Sequence, residues 1–223
     1  MCFSAVASFS TTALLLPMGF FCVKKAYKSN MHYLALASIP FLFGIQQAFE
    51  GGLWLVVGDS VESIKHDMAL GFLFFADLLW PCFVPLAVAL VEENRGKQQL
   101  ALFCSFLGGA FGLSIFLPLW MQPEWLSIQV KQGSILYQMV QLYDAIIPQL
   151  GARLIYVTII AAPLLFSSVT SLQRLGLLLL TSIIVSSLLF SYAFVSVWCF
   201  FAAIISLYIV VIINDCRPKF VHR

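Results

Sequence analysis

Charged residues are scarce in this sequence. Only 10% of the 223 residues are charged, whereas 61% are hydrophobic and the mean hydropathy is +0.98. Ordinary soluble proteins have about 25% charged residues, and a soluble domain of this length could not hide so much apolar surface in one core. The composition excludes a soluble enzyme and a disordered chain, and it predicts a protein whose main partner is the lipid bilayer.

Residue patterns that build metal or cofactor sites are also lacking. The three histidines, His32, His66 and His222, fall on different sides of the predicted membrane, so they cannot form one zinc site. The six cysteines include no CxxC pair, and the net charge of +2 provides no basic patch for a nucleic acid. The sequence therefore identifies no cofactor, no metal and no catalytic residue, and it argues against a nucleic-acid partner.

Long apolar runs dominate what is present. A helix needs about 20 apolar residues to cross the hydrocarbon core of a bilayer, and seven runs come near that length. We predict one seven-helix transmembrane domain over residues 1–223. The predicted spans are residues 4–22, 33–57, 68–91, 100–119, 142–167, 175–192 and 195–213.

The basic residues predict the orientation of these spans, because Lys and Arg are retained in cytoplasmic loops. With the N-terminus outside and the C-terminus cytoplasmic, nine of the twelve basic residues lie inside. The exceptions are Lys65, Lys131 and Arg153. An eighth crossing within residues 134–168 would move Arg174 to the outside, so we favour seven.

The longest outer loop, residues 120–141, has a pattern unlike the rest of the chain. Leu126, Ile128 and Val130 alternate with polar residues before a turn that contains Gly133. Alternation of period two around such a turn is typical of a β-hairpin. We predict a small extracytoplasmic hairpin with a positive φ at Gly133 and the three apolar side chains facing the bundle. The alternative is an irregular loop with an interfacial helix.

Polar residues cluster within the second predicted span. Gln46, Gln47, Glu50 and Trp54 are spaced so that they share one face of a helix. An ionisable group inside a bilayer costs about 2.5–3.5 kcal/mol on insertion scales. This polar stripe should therefore face the protein interior, where its amides and carboxylate can find partners.

The third span contains a second intramembrane carboxylate, Asp77, followed by Trp80 and Pro81. Proline has no N–H, so the carbonyl of Asp77 loses its helical donor. A carboxylate and a free carbonyl at one residue suit a cation or a water cluster. Asp144 and Pro148 repeat the spacing in the fifth span. The alternative is that both segments are kinks with interhelical hydrogen bonds and no ligand.

Two cysteines, Cys2 and Cys199, are both predicted on the outer side of the membrane. They could form a disulfide. If Met1 is removed, Cys2 instead offers an amine and a thiolate that would chelate a soft metal. The alternative is two separate buried thiols.

Several motifs of the chain resemble those of a known family. The opening residues 1–5, MCFSA, precede the sequence QQxxEGxxW at Gln46–Trp54, the pair Trp80-Pro81 and the late segment SVWCF at residues 196–200. Together they resemble an uncharacterised family of bacterial multipass membrane proteins. The resemblance implies a polytopic fold of unassigned activity, which we expect in the bacterial inner membrane.

The polar and aromatic residues lead to functional hypotheses of different classes. The first is a transporter or sensor with an outward-facing pocket that binds a small cationic or polar solute. Its predicted ligand-binding residues are Gln46, Gln47, Glu50, Trp54, Asp77, Trp80 and Asp144. The second is a membrane-embedded enzyme that acts on a lipid or amphipathic substrate through Glu50 or Asp77 as acid/base. The third is an accessory subunit whose polar stripe meets another membrane protein or a second copy of the chain.

Overall fold

Helices joined by short turns make up most of the protein. The computed structural model describes residues 4–58, 62–140, 149–189 and 193–215. The helices are α1 Ala5–Ser29, α2 Leu34–Val56, α3 Glu62–Leu73, α4 Trp80–Val91, α5 Arg95–Met121, α6 Gln149–Phe166, α7 Thr170–Leu189, α8 Phe194–Ile205 and α9 Tyr208–Asp215. Two strands, β1 Leu126–Lys131 and β2 Ser134–Met139, lie between α5 and α6.

Within the described residues, five helical stretches are long and apolar enough to cross a membrane. They are Ala5–Ser29, Ser63–Val91, Arg95–Met121, Thr170–Leu189 and Phe194–Asp215. These five contain the first, third, fourth, sixth and seventh predicted runs, apart from residues 190–192, which are not described. The second run lies in α2, whose glutamines and glutamate lower its hydropathy, and the described part of the fifth lies in the shorter α6. The chain is thus a helical protein of membrane type.

Helices α1 and α3 extend well beyond the apolar runs that predicted them. Helix α1 continues to Ser29, so the lysines after the first run lie on its last turns, and α3 begins at Glu62, so His66 lies on a helix and not in a loop. Polar side chains are compatible with helix once it leaves the hydrocarbon, and long basic ones extend toward the interface. Ser4 caps α1 by accepting a hydrogen bond from the N–H of Ala7 at 3.2 Å.

A π-helical segment, Phe74–Leu79, joins α3 to α4 and contains Asp77. It ends two residues before Pro81, and the N–H of Trp80 donates to the carbonyl of Phe75, five residues back. Because Pro81 cannot donate to the carbonyl of Asp77 and its ring needs room, the helix widens by one residue here. The proline therefore produces a bulge at the intramembrane carboxylate.

Helix α5 packs closely against this bulge. A Cβ placed on Gly108 would overlap the carbonyl oxygen of Pro81, and one on Gly112 would fall 2.5 Å from the carbonyl oxygen of Asp77. Small residues allow membrane helices to approach at backbone distance. The carbonyl of Asp77 is thus covered by α5, and only the side chain of Asp77 is left to face another part of the protein.

The β-hairpin is present as predicted. Strands β1 and β2 pair antiparallel, with Val130 opposite Ile135 and Ile128 opposite Tyr137. The two turn residues, Gln132 and Gly133, have φ values of 50° and 71°. Positive φ at both central residues is the signature of a two-residue type I′ turn, which matches the twist of the strands.

The prediction for one side chain of the hairpin was wrong. Leu126 is buried and Ile128 is half-buried, but Val130 is 47% exposed. Strand β2 packs against α8 and β1 against α3; this packing covers Ile135 and Leu126 but leaves Val130, near the tip of the hairpin, exposed. The ring of Tyr137 on β2 stacks on Phe72 at 5.1 Å and anchors the hairpin to α3.

The opposite end of the bundle is held by Glu92, which follows α4. Its carboxylate accepts hydrogen bonds from the Ser168 N–H at 2.7 Å, the Ser167 hydroxyl at 2.9 Å and the Asn94 N–H at 3.0 Å. Burial raises the pKa of Glu92, but these hydrogen bonds outweigh it, so the pKa lies below the usual value for glutamate. This ionised side chain ties the α4–α5 turn to the α6–α7 turn.

The contact between α4 and α5 predicts a sharp difference between two adjacent glycines. Gly108→Ala places a methyl group against backbone, which cannot move aside, and should destabilise the protein by about 1–3 kcal/mol. Gly109→Ala is the matched control, since its Cβ would meet only the Cys82 Sγ at 3.6 Å. Thermal unfolding in detergent should show a lowered Tm for the first variant alone. Equal Tm values would contradict the close packing.

Candidate functional site

Three residues of the polar stripe of α2, Gln46, Gln47 and Glu50, are fully buried, and Trp54 is half-buried. Gln46 accepts a hydrogen bond from the indole N–H of Trp80 at 2.8 Å, and its own amide donates to the carbonyl of Phe72 at 3.5 Å. The Trp80 ring stacks on Phe43 with centroids 3.9 Å apart. Gln46 therefore joins α2 to the start of α4 through side chains that find their partners inside the protein.

Glu50 is the centre of the second connection. Its carboxylate accepts a hydrogen bond from the hydroxyl of Ser196 on α8 at 2.5 Å and another from the amide of Gln47 at 3.3 Å. The side chain has no exposed surface. Both carboxylate oxygens are therefore engaged, and Glu50 links α2 to α8.

A cavity of about 480 Å³ lies beside this network. The π-helical segment, α5, α6, α8 and β2 all contribute to its lining. Its mouth reaches the protein surface, because the exposed Gln138 is part of the wall. Polar side chains in the lining include those of Asp77, Arg153, Tyr156, Ser196 and Trp198. The volume lies in the range typical of small-molecule sites.

Asp77 is the buried carboxylate of this cavity. The side chain is 7% exposed, and its Oδ2 atom is buried without a hydrogen bond from any residue that the structure describes. The nearby hydroxyl of Tyr156 is already committed, since it donates to the carbonyl of Ala76 at 2.5 Å. An intramembrane carboxylate of this kind is the basis for a functional-site hypothesis.

Arg153 on α6 brings a positive charge to the same cavity. Its guanidinium lies over the ring of Phe194, 4.9 Å from the centroid, in a cation–π arrangement. The side chain is half-buried. Arg153 was counted in the sequence only as an outer basic residue, and no local motif distinguishes it, because Phe194 lies 41 positions further along the chain.

The structure separates the predicted site residues into those that line the cavity and those that do not. Of the predicted set, Asp77 lines the cavity. Glu50 lies behind Ser196, which lines the cavity and holds the Glu50 carboxylate. The other described members are the buried Gln46, Gln47 and Trp80 and the half-buried Trp54. Asp144 lies outside the described residues.

Ser196 and Tyr156 were missed as site residues. Ser196 meets Glu50 across 146 positions of sequence, and Tyr156 meets Ala76 across 80. The one signal for Ser196 in the sequence was its place in the segment that carries the family resemblance. Neither contact follows from spacing along a single helix.

Cys199 is a buried thiol in the wall of the cavity. Its proposed partner, Cys2, lies outside the described residues, so a disulfide or metal chelate at Cys2 stays a prediction. Among the residues that are described, no group of three or more His, Cys, Asp or Glu side chains is placed to hold a metal ion.

Comparison with known proteins identifies a family but no activity. No curated protein and no solved structure matches the chain. The model of one family, described as a family of unknown function, matches residues 1–222. The general expectation of an uncharacterised family is thus confirmed, and the chain belongs to the family of unknown function DUF6629.

Proposed function

We propose that this chain is a membrane-embedded binding protein for a small polar solute, whose positively charged group contacts Asp77. The observation that carries the proposal is the buried Asp77 Oδ2, which lines a 480 Å³ cavity without a described partner. A carboxylate in this position costs free energy in the empty protein. A bound cation would supply the missing interaction.

The walls of the cavity suit a positively charged organic group. Trp198 and Tyr156 meet edge to face at 84°, with their ring centroids 5.4 Å apart, and both line the cavity. Aromatic faces attract ammonium groups, and the attraction is greater where water is excluded. Asp77 would supply the charge and the aromatic rings the surrounding surface.

The role of Glu50 supports binding over acid/base catalysis by that residue. Both of its oxygens are hydrogen-bonded and it does not line the cavity. Glu50 would instead fix α2 against α8, which carries Ser196, Trp198 and Cys199 into the wall. Solute binding at Asp77 would then be the first step of transport or sensing.

The hairpin would control access to the solute. Residues Ile135 to Met139 of β2 form part of the cavity wall. Three of the six β2 residues are buried, whereas most of β1 is exposed. Movement of β2 away from α8 would widen the mouth, as lids do in other binding sites.

Seven crossings of the bacterial inner membrane, with the N-terminus outside, are the arrangement that we propose for the helices. A polar pocket formed by Asn30, Glu92, Arg174 and Asp215 lies at the end of the bundle where α5 begins, whereas the hairpin follows the end of α5. The predicted cytoplasmic turns thus gather at one end. The basic residues near that end follow the positive-inside rule.

The proposed binding function predicts selectivity for ammonium over hydroxyl. The full chain in detergent should be stabilised by 3-methylbutan-1-amine, which is protonated at pH 7, and not by the equal-sized 3-methylbutan-1-ol. The reason is that only the amine places a charge beside Asp77. The shift of Tm with ligand concentration measures the affinity, since a ligand that binds the folded state raises its stability.

Asp77→Asn should abolish the stabilisation by the amine, because the amide keeps the shape and removes the charge. Asp67→Asn is the matched control, since Asp67 lies ten residues earlier on the exposed surface of α3. Equal shifts with the amine and the alcohol, or a shift that survives in Asp77→Asn, would show that Asp77 does not bind a cation.

The proposed topology predicts the labelling of single cysteines in a cysteine-free background. Cysteines at the positions of Lys25 and Lys97 should react only after the cells are permeabilised, and those at Lys65 and Lys131 should react with a membrane-impermeant maleimide in intact cells. Labelling of either of the first two from outside would overturn the seven-crossing arrangement.

A further inference from the structure

We infer that the solute is a zwitterion, specifically an α-amino acid with an apolar side chain, whose carboxylate binds Arg153 while its ammonium binds Asp77. This inference rests on the proposed function, because it takes the cation site at Asp77 as given. Among the described residues that line the cavity, Asp77 and Arg153 are the two with charged side chains. They have opposite signs and come from different elements, the π-helical segment and α6.

The two charges are not used to neutralise each other. Within the described residues, no hydrogen bond or ion pair joins Arg153 to a carboxylate, and the contact that its guanidinium makes is with the face of Phe194. Asp77 Oδ2 likewise has no described donor. A cavity lined by a carboxylate and a guanidinium that are not paired with each other is complementary to a molecule that carries both a positive and a negative charge.

The packing of Arg153 leaves it suited to a carboxylate. The guanidinium lies over the Phe194 ring, 4.9 Å from its centroid, and its five N–H donors lie in the plane of the guanidinium group. That planar fork matches the two oxygens of a carboxylate. Contact with the Phe194 ring also restricts the side chain, so less freedom is lost when an anion binds.

A further donor is present in the same wall. The indole N–H of Trp198 is buried and has no acceptor among the described residues, and Trp198 lines the cavity. Buried indole N–H groups usually have a hydrogen-bond acceptor. A ligand carboxylate provides more acceptor capacity than one arginine can use, and so could satisfy both groups.

The aliphatic residues of the cavity lining indicate which kind of side chain the bound amino acid has. Ile115, Ile135 and Val195 are aliphatic residues of the cavity lining. An apolar substituent would bury its surface there without leaving a polar atom unpaired. A branched aliphatic amino acid has one group for each of these features. Its ammonium matches Asp77, its carboxylate matches Arg153, and its side chain matches the aliphatic wall.

Three probes that share one side chain test the inference. They are L-leucine, 3-methylbutan-1-amine, which lacks the carboxylate, and 4-methylpentanoate, which lacks the ammonium. Isothermal titration calorimetry on the full chain in detergent gives a Kd for each. We expect L-leucine to bind at least tenfold more tightly than either of the others, because only L-leucine contacts both charged residues.

Variants of Arg153 separate a carboxylate contact from general damage to the cavity. Arg153→Gln should weaken binding of L-leucine at least tenfold and change the Kd of the amine by no more than about twofold. Arg153→Lys should recover part of the loss, since it keeps the charge but not the planar fork. Arg174→Gln removes an exposed arginine outside the cavity and should leave the Kd of all three probes unchanged.

The outcomes distinguish the two proposals. If the amine binds and depends on Asp77, but L-leucine binds no better or not at all, the zwitterion inference is wrong and the cation site stands. Equal loss of L-leucine and amine binding in Arg153→Gln would also overturn the inference, because it would show a structural role for Arg153. If none of the three probes binds the wild-type protein, both proposals fail.

Discussion

The hydrocarbon of a bilayer offers no hydrogen bonds, so every polar side chain within it needs a partner from the protein. Helix α2 carries three such groups, Gln46, Gln47 and Glu50, and hydrogen bonds of Gln46 and Glu50 join α2 to other helices. Gln46 engages Trp80 on α4, and Glu50 engages Ser196 on α8. These two contacts place α4 and α8 around one side of α2. The cavity lies next to them, with Ser196 common to the network and the cavity wall.

Asp77 differs from Glu50 in this respect, because its Oδ2 atom has no hydrogen-bond donor among the described residues. Pro81 removes a backbone donor and widens the preceding turn into a π-helical segment. Helix α5 then covers the carbonyl of Asp77 through Gly112, which leaves the carboxylate directed to the cavity that it lines. Natural proteins place destabilising groups of this kind where they are needed for function. Our proposal is that a ligand accounts for an unsatisfied carboxylate and an arginine that line the same cavity.

Local periodicity was sufficient to predict part of this arrangement. Spacing along one helix placed Gln46, Gln47 and Glu50 on a buried face, and period-two alternation around Gly133 predicted the hairpin. Arg153, Tyr156 and Ser196 could not be found in this way, because their roles depend on contacts between distant segments. The burial of Val130 was mispredicted for a related reason, since alternation identifies the two faces of a hairpin but not how far along each strand the helices cover it.

The central claim is that the buried polar network maintains the fold, whereas Asp77 is kept for a ligand. Free energies of unfolding of two conservative variants test it most directly. Ser196→Ala removes a donor from the Glu50 carboxylate and should lower the free energy of unfolding by about 1–3 kcal/mol. Asp77→Asn should leave it unchanged or raise it, because a buried carboxylate without a partner becomes a neutral amide. A loss of stability in Asp77→Asn as large as that in Ser196→Ala would contradict the account.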